Sequence, residues 1–192
     1  MLKLYALENQ LAAIRLLKYW SKRLELFGHE KAFLPLTLDG AYKDDDEQLK
    51  IGFWRVTQAS DGDGRGILFI DTNKLPIADT YDRVSFVRSL WYYAHAALED
   101  EKAQRMGFVI MSSLRNTKYA QFDRKFTSMT MESTKGCIPL RIAAFQICYP
   151  PKFFKIVYPF MNLMMGARLR KRVKVQSGNE EKIVARLEQK YK

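Results

Sequence analysis

The residue types in this chain that could do chemistry are few, and their spacing argues against most of it. Only two histidines occur, His29 and His95. A Ser/His/Asp site for acyl transfer can be assembled from Ser113, His95 and Asp71, but no Gly-x-Ser-x-Gly elbow presents the serine. The run Asp61-Gly62-Asp63-Gly64-Arg65-Gly66 has the outline of a calcium loop. Its fifth position is Arg65, however, and its twelfth, where a bidentate Glu belongs, is Thr72. These glycines precede a strand pattern rather than a helix, so they do not read as a phosphate cradle either; a tight turn is the better reading. Cys137 and Cys148 lack metal-ligand spacing and are too few for a disulfide framework. The expectation is no catalytic residue, no metal and no cofactor.

The chemistry that remains is that of apolar surfaces beside positive charge. In residues 152–165 the polar side chains Lys152, Lys155 and Asn162 lie on one narrow stripe with Pro159 between them. The other residues are large and apolar: Phe153, Phe154, Ile156, Val157, Tyr158, Phe160, Met161, Leu163, Met164 and Met165. A helix packed on a sheet needs an apolar arc of about 100°. This one is apolar over most of its circumference, which leaves a second face for an apolar ligand, a membrane surface or a partner protein; a fully buried core helix is the plainer reading. Pro159 predicts a kink, and methionines suit a wall that adapts to a flexible ligand. Arg168, Arg170, Lys171, Arg172 and Lys174 follow at once. Beside an oversized apolar helix, they form a surface for anionic headgroups, or more simply a solvated basic edge.

The elements that must position these residues can be read from periodicity. Leu4, Leu7, Leu11, Ile14, Leu17 and Trp20, continuing through Leu24 and Phe27 to Gly28, give one helical stripe. Residues 35–47 turn polar and acidic, ending in Asp44-Asp45-Asp46-Glu47, and read as a surface connection. A hairpin follows, with strand character over 53–58, turn residues over 60–64 and a buried strand over 66–71. Then come a helix over about 81–105, a strand at 107–112 and a helix over 121–135. A strand at 142–148, a helix over 152–167 and a short strand at 173–176 follow. The last helix starts near Ser177, which with Glu180 has capping-box spacing, and carries Ile183, Val184, Leu187 and Tyr191 on one side. Strand-then-helix alternation predicts an α/β fold with a mixed, mostly parallel sheet covered by helices. Residues 1–48 read as a helical lead-in with an acidic linker and residues 49–192 as the main domain.

The formal net charge of +11 requires an anionic partner without naming it. No apolar run reaches the roughly 20 residues of a membrane span. The start carries Lys3 and Glu8 among its apolar residues and does not read as a secretory signal. A nucleic-acid partner is not expected, since no aromatic-interleaved basic strand occurs.

The run from Pro139 through Ile142, Phe145, Ile147 and Tyr149 to Pro150-Pro151, with Phe153-Phe154 and Pro159-Phe160 after it, resembles the CRAL-TRIO family. So do Asp63-Gly64-Arg65-Gly66-Ile67-Leu68-Phe69, the lead-in Tyr19-Trp20-Ser21-Lys22-Arg23, and the close from Arg168 to Val175 before a final helix. The resemblance implies a deep apolar pocket on a sheet floor, with residues 152–167 as a mobile gate helix lying as a lid over a hollow interior. It implies a floor and walls drawn from Trp91, Ile110, Ser112, Phe126, Met129, Phe145 and Ile147. From the gate itself it implies Phe153, Phe154, Val157, Phe160, Met161 and Met164. The chain departs from phosphatidylinositol-transfer members at Leu140, where they carry an acidic residue, and at Tyr149, where an Asn is usual. Ser112 and Ser113 stand where an Asp is frequent, and the chain stops at Lys192, before the family's usual Leu-Pro…Gly-Gly segment. The expected partners are therefore a lipid or hydrophobic ligand and, transiently, an anionic membrane surface. A monomer in the cytoplasm, peripherally membrane-associated, is the expected form; a membrane- or protein-docking module without cargo is the alternative.

Overall fold

The computed structural model describes residues 2–43 and 45–191. Helices α1 (Leu2–Lys31) and α2 (Glu47–Ile51) precede the hairpin β1 (Trp54–Ser60) and β2 (Gly66–Asp71). Then come α3 (Arg83–Ala97), α4 (Glu101–Met106), β3 (Phe108–Ser113), α5 (Arg124–Thr134) and β4 (Ile142–Cys148). The chain closes with α6 (Phe154–Met164), α7 (Ala167–Arg170), β5 (Val173–Gln176) and α8 (Glu180–Tyr191).

The five strands lie in the order β1-β2-β3-β4-β5, with β1 antiparallel to β2 and the other pairs parallel. Because strand order follows chain order, each right-handed crossover moves the same way along the sheet, and its helices land on one face. The core agrees. Leu68, Ile70, Ile110, Phe145 and Ile147 join residues of α3, α5 and α6 in one buried cluster. On the opposite face Val109 and Ala144 meet Tyr191 of α8, and Gln146 donates to the Tyr191 hydroxyl at 2.6 Å.

Capping explains where elements break. Asp82, Asp100 and Asp123 accept backbone N–H groups at the starts of α3, α4 and α5, each satisfying donors that a helix start leaves open. The single helix expected over 81–105 is therefore two, because Asp100 starts a second one. The helix expected over 121–135 begins at Arg124 for the same reason, after a 3-10 turn at Tyr119–Gln121. The last helix is capped by Asn179, whose Oδ1 accepts from the Lys182 amide at 3.2 Å, rather than by Ser177. Its Val184, assigned to the packed side, is exposed. The acidic connection is more than surface: Ala41 and Tyr42 are buried, and α2 lies at its end. Of its acidic run, Asp44 lies outside the described residues.

In the turn of the hairpin, the Asp61 side chain is used within its own loop. Asp61 is buried and accepts the amides of Asp63 and Arg65 at 3.1 and 2.8 Å and the Arg65 Nε at 2.6 Å. Its carboxylate is consumed by its own loop. Gly107, between α4 and β3, has φ +90°, and a Cβ there would lie 2.6 Å from the Arg141 carbonyl oxygen.

The long first helix departs most from its sequence pattern. It is broken at Gly28 (φ +71°), and residues 9–18 are exposed, with burial setting in at Tyr19. Leu11, Ile14 and Leu17, read as the packed stripe, are exposed; the side chains of Leu4 and Leu7 lie outside the described residues. Besides Leu26 and Phe27, which are buried in the core, a polar chain docks α1. Arg23, buried without a carboxylate partner, donates to the Leu34 carbonyl at 2.6 Å and to the Tyr19 hydroxyl at 3.1 Å. The Tyr19 hydroxyl lies 2.8 Å from Nε2 of His95, whose Nδ1 lies 2.7 Å from the Trp91 carbonyl. Neutral His95 completes this chain by donating from Nδ1 and accepting at Nε2.

Burial pushes the His95 imidazole below its ordinary pKa; the Trp91 carbonyl opposes that shift and Arg23 adds to it. The folded state thus binds a proton at His95 less readily than the unfolded chain. That contribution to stability is fully present above the unfolded pKa of about 6.5 and is lost progressively as pH falls below it and through the lower folded-state pKa. Unfolding free energy in urea is expected to fall between about pH 7.5 and 5, and His95→Gln should make the fall shallower. An identical pH slope in that variant would remove His95 from the account.

Candidate ligand-binding and membrane-facing site

Strand alternation, which the sequence left open, is settled by register. Leu68, Ile110 and Phe145 stand side by side, as do Ile70, Ser112 and Ile147, and all six face the crossover helices. The structure brings Trp91, Ile110, Phe126, Phe145, Ile147, Phe154 and Val157 into one buried cluster, with Met129, Phe153 and Met161 at its margin. Ser112 is buried on the same face. Phe160 and Met164 lie apart, against the start and flank of α5. The Phe122 ring is 6.2 Å from Phe160, the Arg124 guanidinium lies 4.6 Å over Phe160, and Ser128 Oγ is 4.0 Å from Met164 Sδ. Sequence reading missed Phe122 and Arg124 as neighbours of this helix, although Phe122 belongs to the apolar stripe of its own segment. It also missed Tyr42, Leu68 and Phe86, which share the cluster.

Helix α6 is shorter than the expected 152–167. It ends at Met164 because Met165 is extended (ψ 133°), and α7 starts anew after Gly166. Its two-sided character is evident. Phe154 and Val157 are buried, as is Met165 just beyond, while Ile156 and Leu163 are 73% and 76% exposed. Among the described residues no ion pair ties α6 to the body, and its only side-chain hydrogen bond is the weak one from Ser128 to Met164.

The entry to α6 is rigid. Tyr149 adopts φ +57°, a left-handed conformation that is unfavourable by about 1–2 kcal/mol for a residue of this kind and easier for Asn. It is held by its amide bond to the Gln176 carbonyl at 3.2 Å and by the Arg115 guanidinium 4.4 Å over its ring. Arg115 is anchored in turn by Glu180 at 2.9 Å. The Tyr119 ring then meets Phe153 edge-on at 5.5 Å.

Beyond α6, Arg168, Arg170, Lys171 and Arg172 are exposed, and none pairs with an acidic residue among the described ones. Lys174 differs. It is level with Gln146 in the β4–β5 register, so it stands on the α8 face, away from α6. Val175, on the α6 side, is 39% exposed at the open edge of the sheet.

Among the described residues, two clefts lie beside α1. One of about 330 Å³ lies between α1 and Cys137, and one of about 480 Å³ lies around Phe27, Ala41 and Arg88. Neither is lined by a residue of α6, which lies down on the sheet. Burial pushes the Cys148 thiol up to about 11, away from nucleophilic use at neutral pH. Among the described residues no cluster of three His, Cys, Asp or Glu could hold a metal ion, and no helix is long and apolar enough to cross a membrane.

The CRAL/TRIO domain matches residues 52–192, more than half of the chain. The chain belongs to the CRAL/TRIO domain family. The crystal structure of Sfh5 is similar to this chain in fold. The two superpose with a TM-score of 0.60 at 14% identity, over 86% of this chain and 63% of that one. Tyrosine-protein phosphatase non-receptor type 9 of mouse and of human is 23% identical over 94 residues, which is 49% of this chain and 16% of the relative. The chain thus spans a small part of those curated relatives. CRAL/TRIO is a lipid-binding family, so lipid binding is the coarse function that membership carries.

The two faces of α6 should separate in unfolding experiments. Phe154→Ala is expected to lower the urea unfolding free energy by roughly 3–5 kcal/mol, while Ile156→Ala and Leu163→Ala stay within about 0.5 kcal/mol of the parent. A near-neutral Phe154→Ala would mean that α6 does not rest on the core in solution.

Proposed function

We propose that this chain is a non-enzymatic lipid carrier in which α6 lifts from the sheet at an anionic membrane and an acyl or isoprenoid chain takes its place against Trp91, Ile110, Phe126, Phe145 and Ile147. One observation carries the reading: α6 buries Phe154 and Val157 in the core while holding Ile156 and Leu163 out in water. A helix that served only the core would not need that outer face. Lifting α6 uncovers Phe154, Val157 and Met165, at roughly 2 kcal/mol each or about 6 kcal/mol together. An apolar chain recovers about 0.8 kcal/mol per methylene, so a ligand with about eight buried methylenes offsets the opening. Ile156 and Leu163 entering the bilayer assist it, and Arg168, Arg170, Lys171 and Arg172 would hold the anionic headgroups.

A second reading, docking to a membrane or protein without cargo, is favoured by a different observation: neither of these two clefts is lined by a residue of α6, and Phe154 and Val157 are buried among the core side chains.

Native mass spectrometry of the purified chain, combined with transfer of a fluorescent lipid between vesicles, separates the two. The carrier reading expects a co-purifying lipid and a transfer rate that drops at least about tenfold in Ile156→Gln/Leu163→Gln. Vesicle binding with no bound lipid and no transfer would favour docking alone. Neither binding nor transfer would end both readings.

A further inference from the structure

We infer that the free half of α1 is a second membrane-docking element, which lies on an anionic lipid surface at the same time as α6 and α7. The inference rests on the membrane reading above but assigns a new contact. Leu11, Ile14, Leu16 and Leu17 are 53%, 48%, 59% and 69% exposed, although the helix they belong to continues into the core at Leu26 and Phe27. Leu11, Ile14 and Leu17 recur on one side of about two turns, with Leu16 further round, and three large aliphatic side chains together in water form a patch that a solitary surface leucine does not.

The charge around the patch chooses the occupant. Between residues 9 and 22 the chain carries Arg15, Lys18 and Lys22 and no acidic residue. Arg15 and Lys18 are exposed and have no ion-pair partner among the described residues, while Lys22 is taken by Glu25 at 2.5 Å. Aliphatic side chains flanked by unpaired cations match an interface where acyl chains lie beneath anionic headgroups. A protein groove of ordinary composition would leave those cations unanswered.

The patch is also continuous with the α6–α7 end of the molecule. Ile14, Leu17 and Lys18 line a cleft of about 330 Å³ whose other wall includes Cys137, in the loop after α5. Two residues earlier in that loop, Lys135 reaches toward Gly166, where an added Cβ would sit 3.7 Å from its Cε. Gly166 is the joint between α6 and the cations of α7. A flat lipid surface that engages Arg168 and Arg170 therefore comes within reach of α1 across a single loop.

The test is flotation of the full chain with phosphatidylcholine vesicles containing phosphatidylserine, and with phosphatidylcholine alone. Each cation near an anionic surface is worth about fivefold in partitioning, so Arg15→Gln/Lys18→Gln is expected to weaken binding by at least about tenfold. Leu11→Gln/Ile14→Gln/Leu17→Gln should weaken it as much while leaving the thermal melt unchanged. Hydrogen exchange in residues 9–22 should slow on vesicles containing phosphatidylserine and not on neutral ones. Wild-type binding by both variants, with loss only in Ile156→Gln/Leu163→Gln, overturns the α1 contact and leaves the carrier reading standing. Loss of self-association rather than of vesicle binding in the leucine variant would assign the patch to a second copy of the chain and overturn it too. A wild-type chain that ignores both vesicle types removes the α1 contact and the membrane reading together.

Discussion

Strand order that follows chain order has a consequence reaching every part of this molecule. All right-handed crossovers fall on one face of the sheet, so α3, α5 and α6 compete for the same apolar floor of Leu68, Ile70, Ile110, Phe145 and Ile147. The opposite face is left to α8 alone. Helix α6 arrives last in this layer. It buries Phe154, Val157 and Met165 in the core cluster, packs Phe153, Tyr158 and Met161 against it, and leans sideways on Phe122, Arg124 and Ser128 of the α5 region. A late-arriving helix on a crowded face keeps part of its apolar surface uncovered.

The body and α6 are held by different physics. Buried carboxylates fix the body: Asp61 ties the hairpin turn, and Asp123 joins the start of α5 to Tyr81 and Arg83 at 3.1 and 2.6 Å. Gln146 links Tyr191 on one side to Gln176 on the other. Such bonds are directional, and breaking one leaves a buried polar group unsatisfied. Helix α6 rests on dispersion and on exclusion of water, which any apolar surface of similar shape can replace. Exchange of its contacts for a lipid chain leaves no orphaned donor or acceptor behind. Directional bonds also set its entry: Tyr149, in a left-handed conformation and held by Arg115 and Gln176, fixes where the chain leaves β4.

Much of this was legible in the sequence, for identifiable reasons. Strands β4 and β5 were found at their observed bounds, since short apolar runs between Pro, Gly and basic residues leave little choice. The two-sided nature of residues 152–165 was visible because composition alone revealed it. Helix ends were read less well. Asp100, Asp123 and Asn179 each start a helix, and a periodicity that runs across a cap hides it. The facing of strand residues needed the register, which no local pattern carries. The N-terminal stripe failed most instructively. Leu11, Ile14 and Leu17 have core periodicity, but periodicity reports that a face is apolar and not what covers it.

The distribution of charge follows from what the acids are used for. Asp82, Asp100 and Asp123 cap helices, Asp61 closes a turn, and Asp45 and Asp71 pair with Arg88 and Arg55 at 3.1 and 3.6 Å. These carboxylates are committed to internal architecture and contribute little field outward. The positive excess of +11 is therefore not an even haze. It concentrates where no structural acid is needed, on the α7 turn with Arg168, Arg170, Lys171 and Arg172, and on the free half of α1 with Arg15 and Lys18. Screening limits each cation to about 8 Å at physiological salt, so only charges that are neighbours act as one. In the proposed membrane reading, an anionic surface would meet that concentration on the side where α6 ends, and the field that drew it in would also present it to Ile156 and Leu163. The way the fold has used its aspartates thus leaves unpaired cations and exposed aliphatic side chains near one another.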